Sequence, residues 1–434
     1  MNRASLFTLG CRVNQAESDS LGSALIARGY RLVPEGEEAE LCVINTCSVT
    51  EQADAKCRHL VRSILRRSPN AFVVVTGCYA QSDVESLRRI PGVDLIVGTE
   101  QKMDIPRLVP FGAEPLVKAP ATRVLHTTRI SRKNFILDTY AAFDSATRPN
   151  IKIQDGCDFF CTFCIIPFTR GRERSRDFED VLREVRLWGE RGHKEVVLSG
   201  VNVGEYRHEG RDLVDLIQAI EGIPGTERIR ISSIEPTTIS DRLLDHMAGS
   251  SRLCPYLHIP LQSGSDPILS AMGRRYRARE YEDLVRRAVE KIPGLGLGTD
   301  VMVGFPAESE EDFQATVDLL ERLPFSYFHV FPFSKRKGTR AQKLANAVAP
   351  ATLRERGRRL QELSGAKRRA FYEEHVGRRV PILLEQLEEG LWSGLTPNYI
   401  RVGVPVDSAG GELGGQIRTV LIEGIGKGMA LGAF

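Results

Sequence analysis

The run Cys157-Asp158-Phe159-Phe160-Cys161-Thr162-Phe163-Cys164 follows the strand-like Ile151-Lys152-Ile153-Gln154. Three cysteines at C-x-x-x-C-x-x-C spacing offer three thiolates to a cubane iron–sulfur cluster of four irons, leaving one iron without a protein ligand. A small molecule can bind that iron, which makes such a cluster a reaction centre rather than a plain electron carrier. Zinc and simple core packing are the competing readings. Structural zinc takes four protein ligands, and no fourth Cys or His is adjacent.

Working outward, the strand before this loop is the first of six. The others lie near Glu195–Leu198, Arg228–Ile231, Tyr256–Ile259, Gly298–Val303 and Tyr327–Val330. Helices are expected around Phe178–Arg191, Leu213–Glu221, Ser240–Met247, Arg279–Lys291 and Ser309–Leu323. Six βα units form an open doubly wound sheet or an incomplete barrel, and periodicity does not choose between them. A charged helix follows from about Pro350 to His375. In the tail, Val380–Leu384, Tyr399–Val402 and Ile417–Ile422 are short strands between Gly-rich turns, the pattern of a small antiparallel barrel.

Upstream, strands at Leu6–Leu9, Glu40–Asn45, Ala71–Thr76 and Asp94–Val97 alternate with helices at Gln15–Arg28, Gln52–Arg67 and Gln81–Arg89. That βαβα rhythm predicts a parallel sheet covered by helices. Prolines 106, 110, 115 and 120 then break the periodicity, and Asn134–Leu137 is strand-like. The expectation is an α/β protein with an N-terminal domain over 1–110, a connection over 111–142, a core over 143–370 and a barrel over 371–434.

Each of the first three strands ends in cysteine: Thr8-Leu9-Gly10-Cys11, Ile44-Asn45-Thr46-Cys47 and Val75-Thr76-Gly77-Cys78. The carboxyl ends of parallel strands share one edge of the sheet, where ligands bind. Cys11, Cys47 and Cys78 can therefore converge on a second cluster, again with one iron open. Gly10 and Gly77 let the backbone turn tightly beside a bulky ligand. Cys42, Cys57 and Cys254 read as packing residues: Cys42 is inside a strand, Cys57 shares a helical face with Leu60, Val61 and Ile64, and Cys254 precedes Pro255.

The chain has 434 residues, 42% hydrophobic, with a net charge of +3. Its apolar runs, such as Phe72–Val75, are too short to span a bilayer, and the N-terminus shows no secretory h-region. Nine cysteines, an odd number over a long chain, do not suggest a disulfide framework; a reducing cytoplasm suits thiolate ligands better.

The Cys157–Cys164 spacing is similar to the signature loop of radical S-adenosylmethionine (SAM) enzymes. With the first cysteine set and the small barrel, the whole chain resembles the radical SAM methylthiotransferases. The matching segments are Thr8–Gln15, Asn45–Thr50, Thr76–Gln81, Gly171–Arg176, Pro260–Ser265 and Asp300–Pro306. Val13-Asn14-Gln15 and Val49-Thr50 look most like the MtaB branch, which modifies N-threonylcarbamoyladenosine beside the tRNA anticodon. The resemblance implies an N-terminal domain holding an auxiliary four-iron cluster, a partial (β/α)6 barrel around SAM, and a TRAM-like β-barrel associated with RNA. It implies that one SAM supplies a methyl group to sulfur on the auxiliary cluster. A second SAM yields a 5′-deoxyadenosyl radical that activates carbon 2 of the adenine. No side chain is basic enough to remove that aromatic proton, so the cofactors carry the hard step.

Phe163 would pack on the SAM adenine. Gly200, Asn202, Ser233, Glu235 and Gln262 follow successive core strands, at the mouth where sites of barrel folds cluster. An electron donor of flavodoxin or ferredoxin type is implied, and no membrane partner.

Lys335 to Arg369 contains twelve Lys or Arg and only Glu355 and Glu362 as acids. Lys56–Arg67 adds five basic residues, and Arg170, Arg172, Arg174 and Arg176 follow the cysteine loop. Three such segments favour a polyanion partner, with Arg172, Arg174, Arg176, Arg354, Arg356, Arg358 and Arg359 as candidate phosphate contacts. The tail runs against this, with five basic and eight acidic residues from Phe371 to Phe434. That imbalance supports an alternative substrate, an aspartate of a ribosomal protein. From a different class, a two-cluster electron carrier is the rival; it predicts no SAM cleavage.

Overall fold

The FVVVTG run of Phe72–Gly77 is buried on both faces, as a strand in a parallel sheet must be when helices cover both sides. The computed structural model describes residues 2–110, 117–137, 146–406, 413–426 and 428–434. The N-terminal strands are β1 (Arg3–Thr8), β2 (Arg31–Leu32), β3 (Leu41–Thr46), β4 (Phe72–Gly77), β5 (Leu95–Val97) and β6 (Arg123–Leu125). They pair in the order β2-β1-β3-β4-β5-β6, all parallel. Leu21 and Leu25 of the helix Arg12–Ala27 pack against Val43 and Val74 on one face. Cys57, Val61 and Ile64 of the helix Glu51–Arg67 pack against Ile44, Val73 and Val75 on the other. The expected connection contributes β6 to this sheet. The strand expected at Asn134–Leu137 is reduced to a single bridge between Phe135 and Arg176. Residues 111–116 and 138–145 of that stretch lie outside the described residues.

The core begins with β7 (Asn150–Lys152). A short antiparallel pair, β8 (Gln154–Asp155) and β9 (Arg174–Ser175), brackets the cysteine loop. Then follow β10 (Glu195–Ser199), the hairpin β11 (Arg207–His208) and β12 (Arg211–Asp212), and β13 (Arg228–Ile231). The last three core strands are β14 (Tyr256–His258), β15 (Gly296–Val303) and β16 (Tyr327–Pro332). Parallel pairing runs β7-β10-β13 and β14-β15-β16, and the bridges Ile229↔Leu253 and Ser233↔His258 join the two halves. Spatial order follows chain order without reversal. A doubly wound sheet would reverse at a switch point, so the core winds as a barrel. Among the described residues β7 and β16 are not paired, and the barrel stays open. Alternation sends Ile151, Val196, Leu198, Ile229 and Leu257 out to the helices and turns Lys152, Glu195, Arg230, His258 and Asp300 inward.

The tail closes into a five-stranded barrel. Its strands are β17 (Arg379–Glu388), β18 (Leu391–Leu395), β19 (Arg401–Pro405), β20 (Ile417–Ile425) and β21 (Ala430–Ala433), ordered β17-β18-β19-β21-β20. Ile382, Trp392, Val402 and Ile422 fill it. Its turn at Thr396–Tyr399 plugs the strand-start end of the core. Arg228 and Arg230 donate to the carbonyls of Leu395 (3.2 Å), Thr396 (3.1 Å) and Pro397 (2.8 Å). A Cβ at Gly296 would meet the Asn398 carbonyl at 2.1 Å. Among the described residues, no helix is long and apolar enough to cross a membrane.

Candidate active site

β1, β3 and β4 are adjacent, so their ends lie in register and Cys11, Cys47 and Cys78 share one sheet edge. Cys11 caps the helix Arg12–Ala27, and Cys78 opens the helix Cys78–Ser82. Gly10 has φ +105°, and a Cβ there would stand 2.7 Å from the Cys47 Cβ and 2.9 Å from its Sγ. Gly77 has φ +98° and would collide with the Thr46 carbonyl at 2.4 Å. The glycines are thus what lets the three cysteine loops close on each other. Burial pushes the Cys47 thiol up to about 11, and the neighbouring Cys78 and Cys11 push in the same direction. Such a thiol gives up its proton to a metal rather than to water.

Cys57 lies directly behind this edge. Its thiol donates to the Cys47 carbonyl at 3.3 Å and is pushed up to about 12 by burial. Cys57 and Cys42 are core residues, as their spacing predicts. Among the described residues, no three His, Cys, Asp or Glu side chains meet the spacing of a single-ion site. A cubane instead takes one thiolate at each of three separate corners.

The second set sits on a loop folded back on itself. Gly156, φ +72°, leaves no room for a side chain, since a Cβ would lie 1.9 Å from the Arg172 carbonyl. The Cys157 amide donates to the Gly171 carbonyl at 3.1 Å, and the Cys164 amide to the Cys161 carbonyl at 3.0 Å. Burial pushes the Cys157 thiol up to about 12 and raises that of Cys164 further. Arg274 donates to the Cys161 sulfur at 3.3 Å. Phe163 is half-buried against Met272, Met302 and Phe305.

The other expected SAM contacts divide. Gly200 is a packing requirement, because a Cβ would sit 2.9 Å from the Gln154 Oε1. That oxygen accepts from the amides of Val201 and Asn202, both at 2.9 Å. Asn202 Oδ1 accepts from the Glu235 amide at 3.2 Å. Glu235 is gripped by Arg274 rather than left free for a ribose. Ser233 is half-buried on the bridge to His258. Gln262 takes φ +68°. The Asn202 Nδ2, the Ser232 Oγ and the Gln262 Oε1 are buried with no partner. Three orphaned polar atoms at one mouth are what a polar ligand would satisfy, so the residues present fit SAM. Arg274, Ser232 and Gln154 were missed in the sequence; no local signal marks them.

A buried charge network lies between the N-terminal sheet and the core. Glu17 accepts from Lys102 (2.5 Å), Lys152 (2.6 Å) and Arg170 (2.9 Å), and Asp155 pairs with Lys152 (2.7 Å) and Arg170 (2.9 Å). None of these five residues is more than 5% exposed. Arg170 also donates to Asn14 and lies within electrostatic reach of Cys78 and Cys11. The cysteine edge and the cysteine loop are therefore two sides of one junction. Burial alone would raise the Glu17 carboxyl, but Arg170, Lys102 and Lys152 outweigh it and hold it well below the usual range.

Residues 151–320 match the radical SAM superfamily, and residues 3–98 match uncharacterized protein family UPF0004. The threonylcarbamoyladenosine tRNA methylthiotransferase MtaB of Aquifex aeolicus is 40% identical over 91% of this chain and 95% of its own length. This chain belongs to the radical SAM tRNA methylthiotransferases. The MtaB of Bacillus subtilis is 36% identical over 93% of this chain and 90% of its own length. The tRNA-2-methylthio-N(6)-dimethylallyladenosine synthase of Mycolicibacterium vanbaalenii is 38% identical over 95% of this chain and 82% of its own length. The methylthiotransferase fold is shared with a solved radical SAM methyltransferase, TsrM from Kitasatospora setae. That structure has a TM-score of 0.55 at 15% identity, covering 91% of this chain and 77% of TsrM. The protein is an enzyme whose cofactors are SAM and the four-iron, four-sulfur cluster chemistry of the radical SAM superfamily.

The expected phosphate contacts of this methylthiotransferase need correction. Arg176 is fully buried, paired with Asp180 and Glu184. Arg174 is 11% exposed and pairs with Asp155 and Glu100. Arg356 is buried on Glu308 (2.6 Å) and Glu310 (3.0 Å). Arg358 is exposed but bound within its helix to Glu355 and Glu362, both at 2.6 Å. Arg359 donates to Gln314 at 2.9 Å and covers Phe313. Arg172 pairs weakly with Asp158 at 3.4 Å and stays accessible. Arg354 is exposed. Local charge was legible; the partners that consume it, such as Glu308 48 residues from Arg356 and Glu100 still further from Arg174, were not.

Proposed function

We propose that this enzyme inserts a methylthio group at carbon 2 of N-threonylcarbamoyladenosine in tRNA. Cys11, Cys47 and Cys78 would hold an auxiliary four-iron cluster, and Cys157, Cys161 and Cys164 the cluster that binds SAM. The observation that carries this reading is the pair of cysteine triads on the two sides of one buried charge network, in a chain whose relatives bear that name. When bound, the clusters and SAM supply the methyl, the sulfur and the one-electron chemistry.

The protein's part is placement. Gly10, Gly77 and Gly156 let the thiolates converge. Arg274, beside Cys161 and Glu235, sets a fixed positive charge against the SAM-side thiolates. Asn202, Ser232 and Gln262 present the unmet polar atoms. The exposed Arg354, Arg369, Arg378 and Arg379 suit tRNA phosphates. A flavodoxin- or ferredoxin-type protein would supply the electron.

Iron and sulfide analysis of the reconstituted protein should give roughly eight irons per chain as two Cys₃-type sites. Replacing Cys11, Cys47 and Cys78 together by Ala should remove half the iron and leave SAM cleavage measurable. Cys161→Ala should abolish 5′-deoxyadenosine. Mass spectrometry of tRNA nucleosides after reaction should show the methylthio product; its absence with both clusters intact sinks the reading.

A further inference from the structure

Arg12 follows Cys11 directly, yet it reaches across to the C-terminal barrel. Its Nη2 donates to the Tyr399 hydroxyl at 3.0 Å, and Tyr399 stacks on Tyr256 of β14 with ring centroids 4.3 Å apart. Arg12 thereby forms one wall of a cavity of about 440 Å³ where the N-terminal domain, the core and the tail barrel meet. Arg148, Asn150, Glu385, Gln386 and Arg401 also line it. Three arginines face one carboxylate. Arg148 takes up Glu385, and Arg401 lies 4.0 Å from it. Among the described residues Arg12 has no carboxylate partner, whereas Arg170 and Arg174 each have two and Arg274 has one.

Resting on the function proposed above, we propose that Arg12, with Arg401 across the cavity, binds the carboxylate of the N6-threonylcarbamoyl group and so selects this substrate. A threonine joined to adenine through a carbamoyl link ends in a free carboxylate, whereas a dimethylallyl group carries no charge. Carbon 2 and the carbon bearing N6 flank the same ring nitrogen, N1. A group that holds the N6 substituent must therefore lie about one side chain from the place where sulfur is delivered. Arg12 stands one residue from Cys11. Its planar fork matches a carboxylate in bidentate geometry. A substrate lacking the acid would leave that half-buried charge unmet, which is how polar sites reject apolar analogues.

The test uses the reconstituted holoenzyme and anticodon stem–loop RNAs whose adenosine carries threonylcarbamoyl either as the free acid or as its neutral amide. Equilibrium binding and initial methylthiolation rates are measured for both. The parent enzyme should prefer the acid by roughly 10- to 100-fold, the size of one charge-assisted hydrogen bond, mainly through KM. Arg12→Gln should reduce that ratio to about two-fold or less, and Arg12→Lys, which keeps the charge but loses the fork, should leave it between the two. Tyr399→Phe, which removes the hydrogen bond but not the charge, should keep the preference. Equal treatment of acid and amide by the parent, or an unchanged ratio in Arg12→Gln, overturns the inference while leaving the reaction itself standing. Loss of preference in Tyr399→Phe as complete as in Arg12→Gln would make Arg12 a staple between domains and also overturn it. Failure of the parent on both RNAs would instead remove the proposed reaction.

Discussion

At Gly77 the backbone itself shapes the first cysteine edge. Its φ of +98° is open to glycine at little cost, and a Cβ would press on the Thr46 carbonyl at 2.4 Å. Gly192 has nearly the same backbone, φ +90°, with nothing within 4 Å. Gly192→Ala should therefore cost only the backbone strain, roughly 1–3 kcal/mol in urea unfolding, whereas Gly77→Ala should cost more than that and lower the bound iron toward half. Equal loss in both variants would mean that the close approach to Thr46 does not matter. The meeting of Cys11, Cys47 and Cys78 at one sheet edge was legible because strand ends are local signals. Arg274, Ser232 and Gln154 were not, because only the folded core, an open barrel, brings them to the same mouth as Asn202 and Gln262.

The helix Pro350–Glu373 shows what a charge run conceals. Arg356 reads in sequence as one of several basic residues, yet it is buried against Glu308 and Glu310, while Arg354, two residues earlier, is exposed. Helical periodicity separates the two faces, but nothing local reveals that the inner face meets one carboxylate from the loop before another helix and one from that helix's first turn. Arg356→Ala should destabilise the protein by about 3–5 kcal/mol, since it strands Glu308 without its cation. Arg354→Glu with Arg369→Glu should leave the unfolding midpoint nearly unchanged. It should weaken tRNA binding and flatten the salt dependence by roughly 0.7–0.9 in log–log slope for each phosphate no longer neutralised. Filter binding at several salt concentrations reads this directly. Parent-like affinity and slope would make the helix a solvated spacer between core and barrel.

At the scale of the whole molecule, three bodies were legible from their different periodicities, βα alternation twice and short strands once. Their joints were not. Glu17 finds Lys102, Lys152 and Arg170, 85, 135 and 153 residues away in sequence, and no sequence window contains such a pairing. This junction predicts how acid affects the protein. The folded Glu17 carboxyl lies well below its unfolded value of about 4.3. Its contribution is thus complete above that unfolded value and is lost as pH falls through the lower folded one. Glu17→Gln should lower stability at neutral pH by about 3–5 kcal/mol, because three cations lose their shared partner. Between pH 6 and pH 3 the variant's urea midpoint should fall less steeply than the parent's. It should not become flat, since Asp155, also held low by Lys152 and Arg170 against the effect of burial, still titrates. Parallel curves for the two proteins would show that Glu17 is not what joins the cysteine edge to the cysteine loop.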